Sequence, residues 1–176
     1  MRKLILILFA IILMFFQTEA QSAQSERSDS VKAKVTCTID RHALIDYAKF
    51  FLGAPYRYGS SNPGKGFDCS GFVSYVFRNF RIALPRSSGE YTNLGKELKP
   101  EEFKQGDVVV FYSFKNKTRV GHVGIICEAN GMKSKFIHSS SGVVKGVIIS
   151  ELGFGMYAKR FFKCIDVIGN NNQIVN

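Results

Sequence analysis

The hydrophobic period changes halfway along the chain, and this change constrains the fold more than any other feature of the sequence. Up to about residue 80, apolar residues recur every three or four positions, the period of an amphipathic helix. From about residue 107, short segments rich in Val, Ile, Phe and Tyr alternate with Gly, Asn and Ser. Helices followed by strands predict an α+β fold, with N-terminal helices packed on an antiparallel sheet of about five strands.

The first half of the chain predicts two helices joined by a loop. The first helix ends at Gly53, and either Thr38 or Asp40 can cap its N-terminus. The turn-rich segment GSSNPGKG, residues 59–66, predicts the loop. The apolar stripe of the first helix consists of Leu44, Tyr47, Ala48 and Phe51.

The second predicted helix begins at Cys69, with Asp68 as its N-cap. Because Cys69 lies three and four residues before Phe72 and Val73, the start of the apolar stripe, its side chain is predicted to face the core. A helix N-terminus lowers the pKa of a thiol, whereas apolar burial raises it. A nearby imidazole would decide whether the thiol ionises.

Two of the three histidines, His122 and His138, lie on consecutive predicted strands, whereas His42 is predicted to be an exposed residue of the first helix. His122 and His138 are an even number of residues apart, so a two-residue turn at Asn130-Gly131 would place them on opposite faces. If they cooperate, the connection must have an odd length or contain a bulge. The five predicted strands span residues 107–112, 119–127, 135–138, 143–149 and 156–167.

If the faces agree, the helix that carries Cys69 packs on the sheet face that carries His122, with His138 behind it. Nucleophile, base and orienting group would then be adjacent, as cysteine catalysis requires. The alternative is a structural cysteine with two satisfied histidines, which is the commoner situation for each residue taken singly.

The N-terminus is typical of a secretory signal peptide: Arg2 and Lys3 precede an apolar run from Leu4 to Phe16, and a small-residue cleavage site ends at Ala20. The run is shorter than the ~20 residues of a membrane span. We therefore predict export to the periplasm or the cell exterior, without stable membrane insertion. The predicted organisation is a signal peptide (1–20), a flexible polar leader (21–37), one domain (38–168) and a tail (169–176).

The chain has a formal net charge of +10 and four cysteines. The basic residues are dispersed and no stacking motif accompanies them, so nucleic acid is not predicted as a partner. The charge fits either attraction to anionic cell-wall polymers or simple solubility of a monomer. If Cys69 is a nucleophile, at most one disulfide can form among Cys37, Cys127 and Cys164. No spacing typical of a metal site occurs, and no cofactor is predicted.

The segment GAPYRYGSSNPGKGFDCSGFVSYVF, residues 53–77, resembles the signature of the NlpC family of papain-like cysteine endopeptidases that act on cell-wall peptidoglycan. The resemblance continues through LPRSS, QGDVVVF, GHVGI and FIHSSS, and it covers residues 40–167. One departure is GEYTN, residues 89–93, where the family often has a glutamine. The resemblance implies a papain-like fold and an exported peptidase that forms an acyl-enzyme.

The resemblance also implies roles for individual residues. Cys69 corresponds to the nucleophile, His122 to the base and His138 to the residue that orients the base. Tyr56 corresponds to the tyrosine that stabilises the oxyanion together with the Cys69 N–H. Asp68 and Ser70 correspond to residues that line the substrate side of the cleft, although Asp68 can act as an N-cap alone and Ser70 as an ordinary first-turn residue.

The implied substrate is an amide bond in peptidoglycan stem peptides or their cross-links. Either the γ-D-glutamyl bond to diaminopimelate or the D,D cross-link fits the resemblance. Two alternatives keep the same fold: an inactive wall-binding module, and an acyltransferase that acts on lipid. The presence of Cys69, His122 and His138 together argues against the first, and the cleavable apolar segment argues against the second.

Overall fold

The computed structural model of the protein describes residues 39–169. The predicted signal peptide, the polar leader, Cys37 and the tail beyond Gly169 lie outside these residues, so the predictions made for them stay predictions. None of the helices in the described part is long and apolar enough to span a membrane.

The two predicted helices are present, and their N-caps are the predicted aspartates. Helix α1 spans Arg41–Lys49, and the Asp40 carboxylate accepts hydrogen bonds from the His42 and Ala43 backbone N–H groups at 2.8 and 3.3 Å. His42 is exposed, as predicted. Helix α2 spans Cys69–Asn79, and the Asp68 carboxylate accepts a hydrogen bond of 2.7 Å from the Gly71 N–H. Cys69 is therefore the first residue of its helix, as the sequence indicated.

The segment predicted as a loop contains a small antiparallel hairpin. Strands β1 (Ser61–Asn62) and β2 (Gly66–Phe67) pair across a tight turn. Gly66 has φ +102°, and a Cβ there would come within 2.2 Å of the Pro55 carbonyl oxygen, so only glycine fits at this position. Because Gly66 lies so close to Pro55, the Phe67 N–H can donate a hydrogen bond of 3.0 Å to the same oxygen. The hairpin thereby holds the Pro55-Tyr56 segment beside the start of α2.

The second half forms one six-stranded antiparallel sheet, so the predicted α+β arrangement is confirmed. The strands are β3 (Lys96–Leu98), β4 (Val108–Tyr112), β5 (Val120–Glu128), β6 (Lys135–Ser140), β7 (Gly146–Glu151) and β8 (Phe161–Asp166). Their order in the sheet is β3-β8-β4-β5-β6-β7. Strand β3 is an edge strand that was not predicted from the sequence.

The predicted strand over residues 156–167 is wrong in its first half. A short helix, α3 (Gly155–Arg160), precedes β8. Its sequence GMYAKR contains Met, Ala, Lys and Arg, which favour helices. Gly155, at φ +59°, supplies the sharp turn that precedes it. The aromatic residues on both sides of this segment suggested a continuous strand.

The sheet has two apolar faces with different coverings. Helices α1 and α2 pack on the first face, whose buried side chains include Val110, Val123 and Ile137. The second face is more aromatic, and Phe111 and Phe136 lie there against Tyr157 of α3. Two cysteines, Cys127 and Cys164, are buried as free thiols, so they form no disulfide with each other.

Candidate active site

Cys69 lies half-buried at the N-terminus of α2, where two neighbouring segments fix its backbone. The Phe67 N–H bonds to the Pro55 carbonyl, and the Arg57 N–H bonds to the Phe67 carbonyl at 2.9 Å. These two bonds enclose Tyr56, which pairs with Phe67 through an isolated bridge. Burial raises the pKa of the half-buried Tyr56 phenol, and the nearby Cys69 adds to the increase. The structure thus brings Tyr56 and Cys69 together.

Asp68 is an N-cap, and its buried carboxylate also forms an ion pair with the exposed Arg86. Arg86 donates to both of its carboxylate oxygens, from Nη1 to Oδ1 at 2.9 Å and from Nη2 to Oδ2 at 2.7 Å. The Ser70 hydroxyl donates to Oδ1 at 3.3 Å and accepts a hydrogen bond of 3.4 Å from Arg86 Nη1. Asp68 and Ser70 are 7% and 4% exposed. Their hydrogen bonds account for both residues structurally, and their substrate-binding roles stay predictions.

Burial raises the pKa of the Cys69 thiol above its usual value, and the neighbouring Asp68 carboxylate adds to the increase. The backbone N–H groups of Val123, Ser70 and Cys69 itself oppose this effect because they point at the sulfur. Burial dominates, so the resting thiol is protonated at neutral pH. The imidazoles that were predicted to act on the Cys69 thiol lie on the sheet.

His122 and His138 face each other across strands β5 and β6. Nε2 of His122 and Nδ1 of His138 lie 2.9 Å apart and share a hydrogen bond, and the two rings meet edge to face. The strands change register between Ile126 and Glu128, where Cys127 is an extra residue without a partner. The bulge that cooperation between the two histidines requires is therefore confirmed.

Gly124 allows His138 to approach β5 this closely. A Cβ at Gly124 would lie 2.6 Å from Cδ2 of Phe136 and 3.1 Å from Cβ of His138, both in the interior of the sheet face. Any larger residue would push β6 and its histidine away from β5.

The prediction that α2 packs on the face carrying the histidines is wrong. The α2 stripe packs with Val123 and Ile137 on the first face. His122 and His138 contact Phe111 and Phe136 on the second face. Cys69 nevertheless lies near His122 because it is the terminal residue of its helix, and the backbone of Val123, the residue after His122, is close enough to lower the pKa of its thiol. The thiol therefore lies beside the β5 backbone next to His122.

The histidines lie in an aromatic and poorly solvated environment. Burial lowers the pKa of His122 to about 3, and the positive charge of Arg160 contributes to this decrease. Burial also places the pKa of His138 well below its usual value, with smaller contributions from His122 and Arg160. The guanidinium of Arg160 is held by a hydrogen bond of 2.8 Å from its Nε to the Tyr112 carbonyl. Both imidazoles are therefore neutral at physiological pH.

Two hydroxyl groups complete the environment of His138. Oγ of Ser150 lies 3.0 Å from Nε2 of His138, and the Tyr157 hydroxyl lies 3.4 Å from the same nitrogen. If Nε2 of His138 donates to Ser150, its Nδ1 accepts from Nε2 of His122, and Nδ1 of His122 is left with a lone pair. In this arrangement of tautomers, Nδ1 of His122 can accept a proton from a thiol.

The thiol and His122 are near each other along β5, but no hydrogen bond joins their side chains within residues 39–169. Because Nε2 of His122 is engaged by His138, Nδ1 is the nitrogen available to Cys69. The same residues contain no cluster of three or more His, Cys, Asp or Glu side chains that could hold a metal ion.

Four residues of the site were not identified from the sequence: Arg86, Ser150, Tyr157 and Arg160. Arg86 lies in the LPRSS block, and a conspicuous arginine there was the available signal. Ser150 is one residue beyond the predicted strand, and its approach to His138 depends on the β6–β7 register. Tyr157 and Arg160 are on the helix that was predicted as a strand.

Sequence and structure comparisons agree with this geometry. A profile described as the NlpC/P60 family matches residues 53–166. A "Gamma-DL-glutamyl hydrolase" of Bacillus subtilis is 40% identical over 98 residues, which are 55% of this chain and 22% of that protein. The "Murein DD-endopeptidase MepS/Murein LD-carboxypeptidase" of Escherichia coli K12 is 32% identical over 145 residues, which are 82% of this chain and 71% of that protein.

Among solved structures, an NlpC/P60 family protein from Bacillus cereus superposes with a TM-score of 0.65 at 28% identity. The match covers 74% of this chain and 41% of that chain. The chain thus spans under half the length of this structural relative and under a quarter of the Bacillus subtilis hydrolase.

Proposed function

The chain belongs to the NlpC/P60 family, and from this membership we propose that it is an exported cysteine endopeptidase that hydrolyses an amide bond in peptidoglycan stem peptides or cross-links. The observation that carries the proposal is the 2.9 Å contact between His122 and His138 beside the helix terminus that holds Cys69. Relatives named as hydrolases and endopeptidases support hydrolysis over transfer to a lipid or mere binding.

Acylation begins with a neutral pair, because burial disfavours both the thiolate and the imidazolium. The thiol proton moves to Nδ1 of His122 as the sulfur attacks the amide carbonyl and the carbon–sulfur bond forms. The Cys69 N–H and the Tyr56 hydroxyl donate to the oxyanion. His122 then gives its proton to the amide nitrogen as the carbon–nitrogen bond breaks, and the amine leaves.

Deacylation uses the same imidazole. Nδ1 of His122 takes a proton from water, whose oxygen attacks the thioester carbonyl. Collapse of the second tetrahedral intermediate breaks the carbon–sulfur bond, and the proton returns to the sulfur. His138 and Ser150 keep Nε2 of His122 protonated in both half-reactions, which leaves Nδ1 free to exchange protons.

The proposed setting follows from the sequence. Export places the enzyme in the periplasm or outside the cell, where its positive charge attracts anionic cell-wall polymers. It acts as a monomer, without a metal or other cofactor and without nucleic acid as a partner. Asp68 and Ser70, fixed by Arg86, form the wall of the cleft next to the nucleophile.

The test is digestion of purified peptidoglycan sacculi, with mass spectrometry of the released fragments. Wild-type protein is expected to release muropeptide fragments, and the mass of the new termini identifies the cleaved bond as γ-D-glutamyl or D,D. Cys69→Ala is expected to release none while keeping the wild-type circular dichroism spectrum. Equal release by Cys69→Ala and wild type would refute the proposal.

A further inference from the structure

A groove lined by three arginines lies beside the candidate active site, at the C-terminal end of α2. Its volume is about 500 Å³. Arg78, Arg81 and Arg86 line it, together with the hydroxyl-bearing Ser61 and Ser74 and an apolar floor from residues 82–84. Guanidinium and hydroxyl donors above an apolar floor suit an oxyanion attached to a larger molecule.

Two of the three arginines have no acidic partner. Arg86 is neutralised by Asp68. Within residues 39–169, neither Arg78 nor Arg81 forms an ion pair. Arg78 lies only against an aromatic ring, with its guanidinium carbon 5.9 Å from the Tyr75 ring centre. The groove therefore carries uncompensated positive charge.

The backbone at Arg81 is a second, independent observation. Arg81 has φ +59°, the only positive φ at a non-glycine residue in the described part of the chain. It ends α2 through hydrogen bonds from its own N–H to the Arg78 carbonyl and from the Ile82 N–H to the Phe77 carbonyl, at 3.0 and 3.1 Å. Glycine is the usual residue at such a helix end, and an arginine there costs stability. The strained Arg81 is also one of the residues that line the groove.

We propose that this groove binds a carboxylate or phosphate oxyanion of an anionic cell-wall polymer, and that Arg78 and Arg81 are its ligands. Both oxyanions match the planar guanidinium fork. The end of the groove that carries Arg78 and Arg81 lies about 14 Å from Cys69, because Arg78 is nine residues further along α2 at 1.5 Å per residue. Its ligand is therefore a group several bonds from the cleaved amide, and the groove holds the polymer while the cleft cuts it. The identity of the polymer rests on the proposed function, whereas the anion site does not.

The test is cosedimentation with purified sacculi, carried out on the full chain with Cys69→Ala in every protein so that no digestion occurs. Arg78→Gln combined with Arg81→Gln is expected to weaken binding about tenfold, the loss expected for removal of charge-assisted hydrogen bonds. The matched control, Lys104→Gln with Lys133→Gln, removes the same charge from exposed residues outside the groove. It is expected to weaken binding less than twofold. Equal losses in the two double variants would overturn the proposal, because bulk charge would then explain the binding.

Sacculi treated with hydrofluoric acid, which removes phosphate polymers, distinguish the two sources of the oxyanion. If the specific loss persists on treated sacculi, the ligand is a carboxylate of peptidoglycan. If it disappears, the ligand is a polymer phosphate. Binding by a wild-type protein that releases no fragments would refute the proposed function and leave the anion site standing.

The Arg81→Gly variant distinguishes the role of the Arg81 side chain as a ligand from the effect of its strained backbone. Glycine relieves the left-handed backbone, so the melting temperature is expected to rise by about 4 °C while binding to sacculi weakens. Titration of the otherwise unmodified chain with inorganic phosphate, followed by NMR of the guanidinium Nε–H signals, is expected to shift Arg78 and Arg81 together. An Arg81→Gly protein that binds sacculi as tightly as its parent, or unchanged Nε–H signals, would overturn the assignment.

Discussion

The two halves of the candidate site differ in kind. The thiol half is polar and partly open, and an ion pair and converging backbone N–H groups surround Cys69. The imidazole half is aromatic and closed, and its histidines contact Phe111, Phe136 and Tyr157. Both halves nevertheless disfavour charge, since the pKa of Cys69 is raised and that of His122 is lowered.

Both shifts favour a resting site without a thiolate–imidazolium pair. In the proposed mechanism, proton transfer and attack on the carbonyl occur together, because neither charged group is stable alone. In that mechanism the polar half positions the sulfur, and the aromatic half keeps the proposed base neutral and oriented. The following changes test each half separately.

Removal of either reacting group is expected to have the largest effect. Cys69→Ala and His122→Ala should each lower kcat by on the order of 10⁵-fold, and the double variant should be no worse, because the two residues act as one unit. Steady-state release of muropeptides from sacculi measures this. Additive losses in the double variant would show that the two halves work independently.

Acidification is expected to have the next largest effect, and it destabilises the imidazole half. The folded-state pKa of His122 is about 3, below the unfolded value of about 6.5. Between these pH values only the unfolded state binds the proton. The free energy of unfolding is therefore highest above pH 6.5 and decreases as the pH falls toward 3. His122 is expected to contribute about 1.4 kcal/mol per pH unit to the slope, and His138, whose pKa is also lowered, adds to it. Urea unfolding across this range measures the slope, and His122→Asn should make it shallower by the share of His122. A variant curve as steep as the wild-type curve would contradict the assigned pKa.

Loss of the Tyr56 hydroxyl is expected to weaken the polar half without breaking it. Tyr56→Phe removes one oxyanion donor, so kcat should fall about 10²-fold with little change in KM or melting temperature. Tyr58→Phe is the matched control, because Tyr58 is 89% exposed and two residues away. If both variants keep wild-type kcat, Tyr56 is not an oxyanion donor.

The smallest effect is expected from Ser150→Ala, which removes the hydroxyl nearest to Nε2 of His138. Loss of this hydrogen bond should lower kcat about tenfold by freeing the His138 tautomer. Tyr157→Phe, whose contact with Nε2 is the longer one, should cost less. Nitrogen-15 NMR of the imidazoles reads the tautomers directly. A wild-type tautomer population in Ser150→Ala would show that Ser150 has no part in orienting the pair.

Local sequence patterns were sufficient to predict the helix terminus in the polar half. The Asp68 cap, the helix start at Cys69 and its spacing to Phe72 all depend on neighbours along the chain. The need for a bulge between the histidines also followed from counting residues. The sheet face on which α2 packs could not be predicted in this way, because it depends on how the ends of β5 and β6 meet the helix terminus.

Contacts between residues that are distant in the sequence also could not be predicted from local patterns. Arg86 reaches Asp68 across 18 residues, and Ser150 reaches His138 through the register of β6 and β7. The prediction of a strand over residues 156–167 was wrong in its first half for a related reason. These residues have aromatic neighbours on both sides and were assigned by composition, whereas Gly155 determines where the chain turns.

The bulge at Cys127 has a consequence for how such chains tolerate insertions and deletions. The β5–β6 connection, residues 129–134, can gain or lose residues freely, because pairing from Ile126 and Phe136 fixes the register on its own. Loss of the single extra residue inside β5 would remove the bulge and also make the separation of the two histidines odd, so both histidines would stay on the same face. Aligned relatives with intact sites should therefore carry their gaps in the connection or at the Cys127 position, and none between His122 and Ile126.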